Sequence, residues 1–188
     1  MALEATSSTS MVNRMMRAAR LEVPLYEEVE ADLTATNQAL LVVLLVAVAR
    51  GIGAGFTGGT PGGLVGGLIS GLLSALLGWA VWSYVVYFVG TRFFGGTATY
   101  GELLRTLGFA ESPSVLLFLS FIPVLGGILA LVVGIWTIVT SFIATRQALD
   151  IDNTKTVFTI LIGAVALIVV IAVVSLVVGA VLFAVGVR

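Results

Sequence analysis

PSVLLFLSFIPVLGGILALVVGIWTIVTSFIA, residues Pro113 to Ala144, runs for 32 positions without a charged side chain. As one helix it would measure roughly 48 Å, against a hydrocarbon core of about 30 Å. Its middle, FIPVLGG (Phe121 to Gly127), contains a proline that removes a backbone donor and disfavours helix just before it. Two glycines follow that tolerate a turn. The stretch therefore predicts a tight hairpin between two helices, at about 107–122 and 125–147. One kinked and strongly tilted helix is the alternative.

Similar runs flank this one. Val157 to Val187 is uncharged throughout, and apolar blocks also cover about 38–56 and 64–90. The 188-residue chain is 59% hydrophobic and 10% charged, against about 25% charged in an ordinary soluble domain. The expected fold class is all-α: a polytopic membrane bundle of five transmembrane helices with an N-terminal amphipathic helix. The division reads 1–10 as a disordered tail, 11–37 as a cytoplasmic amphipathic segment, and 38–188 as the membrane domain. No signal-peptide core precedes the first span, so the N-terminus is expected to be retained.

Charge placement gives an orientation. With five spans, Arg14, Arg17, Arg20, Arg92, Arg105, Arg146 and Lys155 share one side, leaving only Arg50 and Arg188 for the other. Positively charged short loops stay in the cytoplasm. The expectation is an integral membrane protein with its N-terminus inside and its C-terminus outside. Trp79, Trp82, Tyr84 and Tyr87 suit an aromatic belt near the cytoplasmic interface.

Residues 11–21 place Met11, Met15, Ala18 and Ala19 on one helical face, with Arg14, Arg17 and Arg20 on another. Such a helix either lies among lipid headgroups or packs on loops of its own chain. A second short helix is expected after Pro24, carrying Glu27, Glu28, Glu30 and Asp32.

Glycine crowds the stretch RGIGAGFTGGTPGGLVGGLISGLL, Arg50 to Leu73. Gly53, Gly55 and Gly58 have dinucleotide-loop spacing, but no strand–helix–strand pattern surrounds them, so phosphate binding is not expected. Beyond Pro61 the pattern tightens. Gly62, Gly66, Ser70, Ser74 and Gly78 recur every fourth residue, as do Gly63, Gly67, Gly71 and Ala75. Together they form one flat helical strip, and small residues let membrane helices approach closely. The strip's partner is another span of this chain, a second copy, or a different membrane protein.

Little chemistry is available. Cysteine and histidine are absent, which removes thiolate catalysis, the commonest metal ligands and the usual proton shuttle. No basic block points to nucleic acid. No catalytic, cofactor-binding or metal-binding residue is assigned, and an enzyme is not expected. All ten acidic residues lie outside the apolar cores, and Arg50 is the one candidate for an intramembrane ionisable residue. It either snorkels to the outer headgroups or pairs with a buried carbonyl, a lipid phosphate or a partner subunit. Thr137, Thr140, Ser141 and Thr145 form a hydroxyl seam on the fourth span.

The link ahead of the third span reads YGELLRTLGFAESP, Tyr100 to Pro113. It resembles the tyrosine-glycine, glycine-tyrosine and proline signature of the Yip family, the Ypt-interacting proteins. Tyr100, Gly101, Gly108 and Pro113 match, and Phe109 stands where many members carry tyrosine. Upstream, Asp32-Leu33 is similar to the start of the eukaryotic Asp-Leu-x-Gly-Pro motif, but Ala35 and Thr36 replace its Gly-Pro. The resemblance covers most of residues 13–175. It implies a five-helix membrane domain with a cytoplasmic N-terminus, and in eukaryotic members the binding of Rab-type GTPases. The lean loops are similar to those of prokaryotic members, which implies a prokaryotic cytoplasmic membrane.

The leading functional expectation is a non-enzymatic scaffold or adaptor, an accessory subunit that works by helix–helix contact within the lipid bilayer. A small transporter or channel and a curvature-shaping protein are the alternatives.

Overall fold

The computed structural model describes residues 10–55 and 63–186, and those residues contain no strand. Among these described residues seven α-helices occur in chain order: α1 (Met11–Ala19), α2 (Val23–Ala31), α3 (Ala35–Gly55), α4 (Gly63–Phe94), α5 (Tyr100–Ala110), α6 (Leu125–Leu149) and α7 (Asn153–Val185). A 3₁₀ helix, Ser112–Phe121, lies between α5 and α6. The tail 1–9, the link 56–62 with Gly62, and Arg188 lie outside the described residues.

Among the described residues four helices, within α3, α4, α6 and α7, are long and apolar enough to cross a membrane. The all-helical membrane fold is as expected, but the count of five is only approximate. The expected third span, 107–122, is not one α-helix. α5 stops at Ala110, and a ten-residue 3₁₀ segment with Pro113 in its first turn follows. At about 2.0 Å per residue this segment reaches roughly 20 Å, short of the hydrocarbon core.

The chain then reverses. Leu125 N–H donates to the Pro123 carbonyl at 2.7 Å, and Gly126 N–H to the Ile122 carbonyl at 2.8 Å. Val124 sits between them at φ 67°, ψ −53°, the strained hand of the γ-turn. α6 starts at the next residue, so 113–144 is two elements and not one kinked helix. Gly126 is required by proximity: a Cβ there would collide with the Ser120 carbonyl oxygen.

The core sits at one end of the bundle. One face of α3, formed by Ala35, Ala39, Val42 and Val46, is buried against Leu103, Leu107 and Phe109 of α5. Leu25, Tyr26 and Val29 of α2 join it, as do Ala144, Ala148 and Leu149 of α6. Buried residues fall from 39% of the spanning window in α3 to 6% in α7. The protein-like core therefore belongs to the N-terminal layer, and the later helices present their sides to the surroundings.

The turn supplies a test. Val124 is exposed, so Val124→Gly removes a strained φ without loss of packing. It should leave stability unchanged or raise it by up to about 1 kcal/mol, strain relief offsetting the extra unfolded-state freedom of glycine. Gly126→Ala should cost about 2 kcal/mol or more, because backbone must move. Thermal unfolding in detergent should show a lowered midpoint for Gly126→Ala and no lowering for Val124→Gly.

Candidate functional site

Two polar constellations are built on this frame. The first ties the N-terminal helices together. Arg14, only 1% exposed, donates through Nε to Glu28 Oε1 at 2.9 Å, through Nη2 to Asp32 Oδ2 at 2.8 Å, and through Nη1 to Gln38 Oε1 at 3.0 Å. Arg17 reaches Glu22 Oε2 at 3.1 Å and Glu28 Oε2 at 2.5 Å. Arg14 and Arg17, read from sequence as lipid or partner contacts, thus turn their charge onto carboxylates of α2 and its flanks. Arg20 alone of the three is exposed. The physical reason is charge matching: a buried guanidinium needs paired carboxylates and a filled hydrogen-bond fork.

Burial opposes ionisation of Glu28, but hydrogen bonds from Arg17 and Arg14 outweigh it and hold its carboxyl below the ordinary range. Thr34 and then Arg14 do the same for Asp32. Arg105 completes the layer. It is buried on α5, and its guanidinium donates to the Val29 carbonyl at 2.9 Å and to the Glu30 carbonyl. These carbonyls end α2, where the helix dipole favours a cation. Sequence reading had counted Arg105 only as a loop charge.

The motif residues at 100–113 organise α5. Thr99 accepts from Glu102 N–H while Glu102 Oε2 accepts from Thr99 N–H, a capping box that starts the helix. The Tyr100 hydroxyl donates to the Ala80 carbonyl at 3.0 Å, and its ring lies edge-on to Tyr84 at 5.8 Å. Gly101 sits above the Arg105 guanidinium. A Cβ at Gly108 would come within 2.8 Å of Ala39 Cβ, so glycine is what lets α5 lie on α3. Phe109 is fully buried, and Pro113 is buried at the break. Of the aromatic group, Tyr84 and Tyr87 pack on Tyr100, whereas the Trp79 indole turns inward and donates to the Leu104 carbonyl at 3.0 Å.

The second constellation surrounds Arg50. Its Nη2 donates to Glu111 Oε2 at 2.7 Å and to Ser114 Oγ at 2.9 Å. Ser114 Oγ lies 3.1 Å from Thr137 Oγ1, and Thr137 is the central residue of α6. Arg50 therefore pairs at about half the depth of α6 and does not reach for a helix end. Sequence reading found Arg50 but missed Glu111, which sits where α5 gives way to the 3₁₀ segment. A cavity of about 210 Å³ is bordered by Arg50, Glu111, Ser74, Trp79, Trp82 and Ser141. A second, of about 350 Å³, shares Arg50, Trp82 and Ser141 with it and adds Ser114, Thr137 and Thr145. In the hydroxyl seam, Thr140 donates to the Ala110 carbonyl at 2.7 Å.

The strip on α4 is only partly used by the chain itself. Ala75 is half-buried, Ser74 and Gly78 are exposed, and all three border the smaller cavity. A Cβ added at Gly71 or Gly78 would meet nothing within 4 Å. Gly63 opens the helix, Gly66 is half-buried, and the surroundings of Gly67 and Ser70 lie outside the described residues.

The profile of the Yip1 domain matches residues 26–186, most of the chain. The chain belongs to the Yip1-domain family. Neither a curated protein nor a solved structure matches it significantly. Within the Yip1 domain the match begins in α2, so it takes in the Arg50 constellation and the carboxylates Glu28 and Asp32 but not Arg14 and Arg17, together with the signature that Gly108 and Pro113 anchor. Family and apolar helices agree on an integral membrane protein in contact with the bilayer.

The N-terminal layer has two measurable consequences. Arg14→Ala should cost about 1–3 kcal/mol, because it removes three hydrogen bonds, leaves Asp32 without its cation and leaves Glu28 with Arg17 alone. Thermal unfolding checks this. Glu30 has the opposite character: burial, with Glu102, Asp150 and Glu27 adding repulsion against the pull of Arg105, lifts its carboxyl to about 7. A raised carboxylate binds its proton more tightly folded than unfolded, so stability should fall as pH rises from about 4.5 to 7. Glu30→Gln should flatten that part of a stability–pH curve, and an unchanged slope would refute the assignment.

Proposed function

We propose that this Yip1-domain protein is a non-enzymatic membrane scaffold, an accessory subunit that receives a helix of another membrane protein, or of a second copy, on the strip of α4. One observation carries the reading. The chain's own close contacts are made at other glycines, with Gly53 against the 3₁₀ segment, Gly90 against Leu149, and Gly108 against Ala39. Gly71 and Gly78 are left with open space beside them. In lipid, a smooth face gains by packing with another helix, because close backbone approach replaces the missing hydrophobic drive. The charge pattern favours an N-terminus in the cytoplasm and a C-terminus outside, with the N-terminal layer at the inner surface.

A small transporter or channel is the second reading, favoured by the position of Arg50 beside two cavities. The curvature-shaping alternative draws less support, since Arg14 and Arg17 of α1 are committed to carboxylates of the same chain.

Gly71→Leu tests the scaffold directly. Leucine there meets open space, so the thermal midpoint should stay within a few degrees of the original. Chemical cross-linking in native membrane should nevertheless lose its partner band. Retention of the same partner, or a monomer with no cross-linked neighbour before mutation, would end the proposal.

A further inference from the structure

The ion pair of Arg50 and Glu111 has an unusual setting. Both side chains remain partly open, 45% and 28% exposed, although they pair near the middle depth of α6. Charge in contact with hydrocarbon is costly, and intramembrane ionisable groups face polar cavities or partners. Arg50 uses Nη2 for both of its bonds, so Nε and Nη1 have no bonded partner among the described residues. Glu111 gives Arg50 only Oε2, leaving Oε1 likewise open. A third polar group points the same way. Thr145 is fully buried, borders the larger cavity, and its Oγ1 has no hydrogen-bond partner.

The two cavities meet at Arg50, Trp82 and Ser141, and they differ in character. The smaller holds both charges, two tryptophan rings and the hydroxyls of Ser74 and Ser141. The larger is walled mostly by apolar side chains, among them Leu117, Val133, Ile138 and Ile160. Each opens sideways between the helices: the first at exposed Ser74 and Gly78, the second at exposed Ala130, Gly134 and Ile138. The surfaces beside those mouths are apolar, with Leu77 65% and Ile135 57% exposed. Whatever enters comes through the acyl region of the bilayer, so it is an amphiphile. A plain anion would be repelled by Glu111 and a plain cation by Arg50. A molecule carrying both charges fits both.

We propose that the joined cavities hold one zwitterionic phospholipid: its phosphate on the open donors of Arg50, its ammonium between Glu111 and the faces of Trp79 and Trp82, and an acyl chain along the apolar wall of the larger cavity. Guanidinium suits phosphate through its forked donors, and an alkylammonium is attracted to indole faces. Ser74 and Gly78 of the scaffold strip form the mouth of the smaller cavity, but the scaffold's test residue, Gly71, borders neither cavity, so the two readings are tested apart.

The test is a titration of the full, delipidated protein in detergent, read by native mass spectrometry. Phosphatidylethanolamine should bind at one per chain and at least about tenfold more tightly than phosphatidylglycerol, which has the phosphate but no amine. Arg50→Gln should weaken phosphatidylethanolamine by about tenfold or more, and Glu111→Gln should erase the preference over phosphatidylglycerol. Gly134→Leu fills the larger cavity from a position with nothing within 4 Å of a Cβ, so it should block the lipid while the protein keeps its fold and its ion pair. That variant decides the matter if either charge substitution fails to fold. Equal binding of the two lipids, or undiminished binding by Gly134→Leu, would overturn the proposal. Displacement of the lipid by an equal concentration of soluble glycerophosphoethanolamine would also overturn it, because the ligand would then be a free zwitterion.

Discussion

Ser112–Phe121 is wedged between α3 and α6 by two approaches that no side chain would permit. On one side Gly53 lies against Leu117 and Ser120, and on the other Gly126 lies beneath the Ser120 carbonyl. A ten-residue 3₁₀ segment held in this way fills only part of a helix's place in the bundle. The space that remains is bordered by Arg50, Glu111 and the hydroxyls of α6. Had α5 continued as a full α-helix past Pro113, apolar side chains would have closed that volume and an arginine in α3 could not have been tolerated. The break at Pro113, the charge in α3 and the hydroxyl seam are therefore parts of one arrangement.

Several features were legible because they rest on local rules. Proline and glycine at 121–127 announce the reversal, Pro24 marks the start of α2, and long uncharged runs require spanning helices. The Tyr100–Pro113 signature marks the segment that joins α5 to α3. The remainder depends on tertiary contact. Three arginines spaced three apart look like a solvated face, and only the folded chain brings Glu28 and Asp32 to Arg14. A usable signal existed, since an acidic cluster follows those arginines at once in the sequence, separated from them by a turn. Glu111 was harder to see. It lies 61 positions from Arg50 and was counted with the polar links, although it begins a segment that is otherwise apolar.

Glycine serves three separate ends in this chain. At Gly53, Gly108 and Gly126 it admits a neighbouring backbone or methyl group. On α4 it makes a smooth face that the chain's own helices leave open at Gly71 and Gly78. At Gly134 it widens the mouth of a cavity. None of these is a phosphate loop, and the surrounding medium is what separates them from one. In a soluble sheet protein the same spacing would sit after a strand; here its first two glycines, Gly53 and Gly55, lie in the last turn of a membrane helix.

α7 and α3 show how differently two apolar helices can be constrained. α7 touches α4 near its start, where Gly163 faces Val85 and Trp82 and Phe158 stacks on Phe94. From Val169 to Val181 its side chains are exposed. Lipid tails accept valine, isoleucine and leucine with little distinction, so that half of the helix is governed by composition and length alone. Ala39, pressed against Gly108, is governed by shape to within a methyl group. Descendants of this chain can therefore drift freely along the last helix while remaining nearly fixed along the first, and divergence measured over the whole sequence would understate how closely the N-terminal layer is preserved.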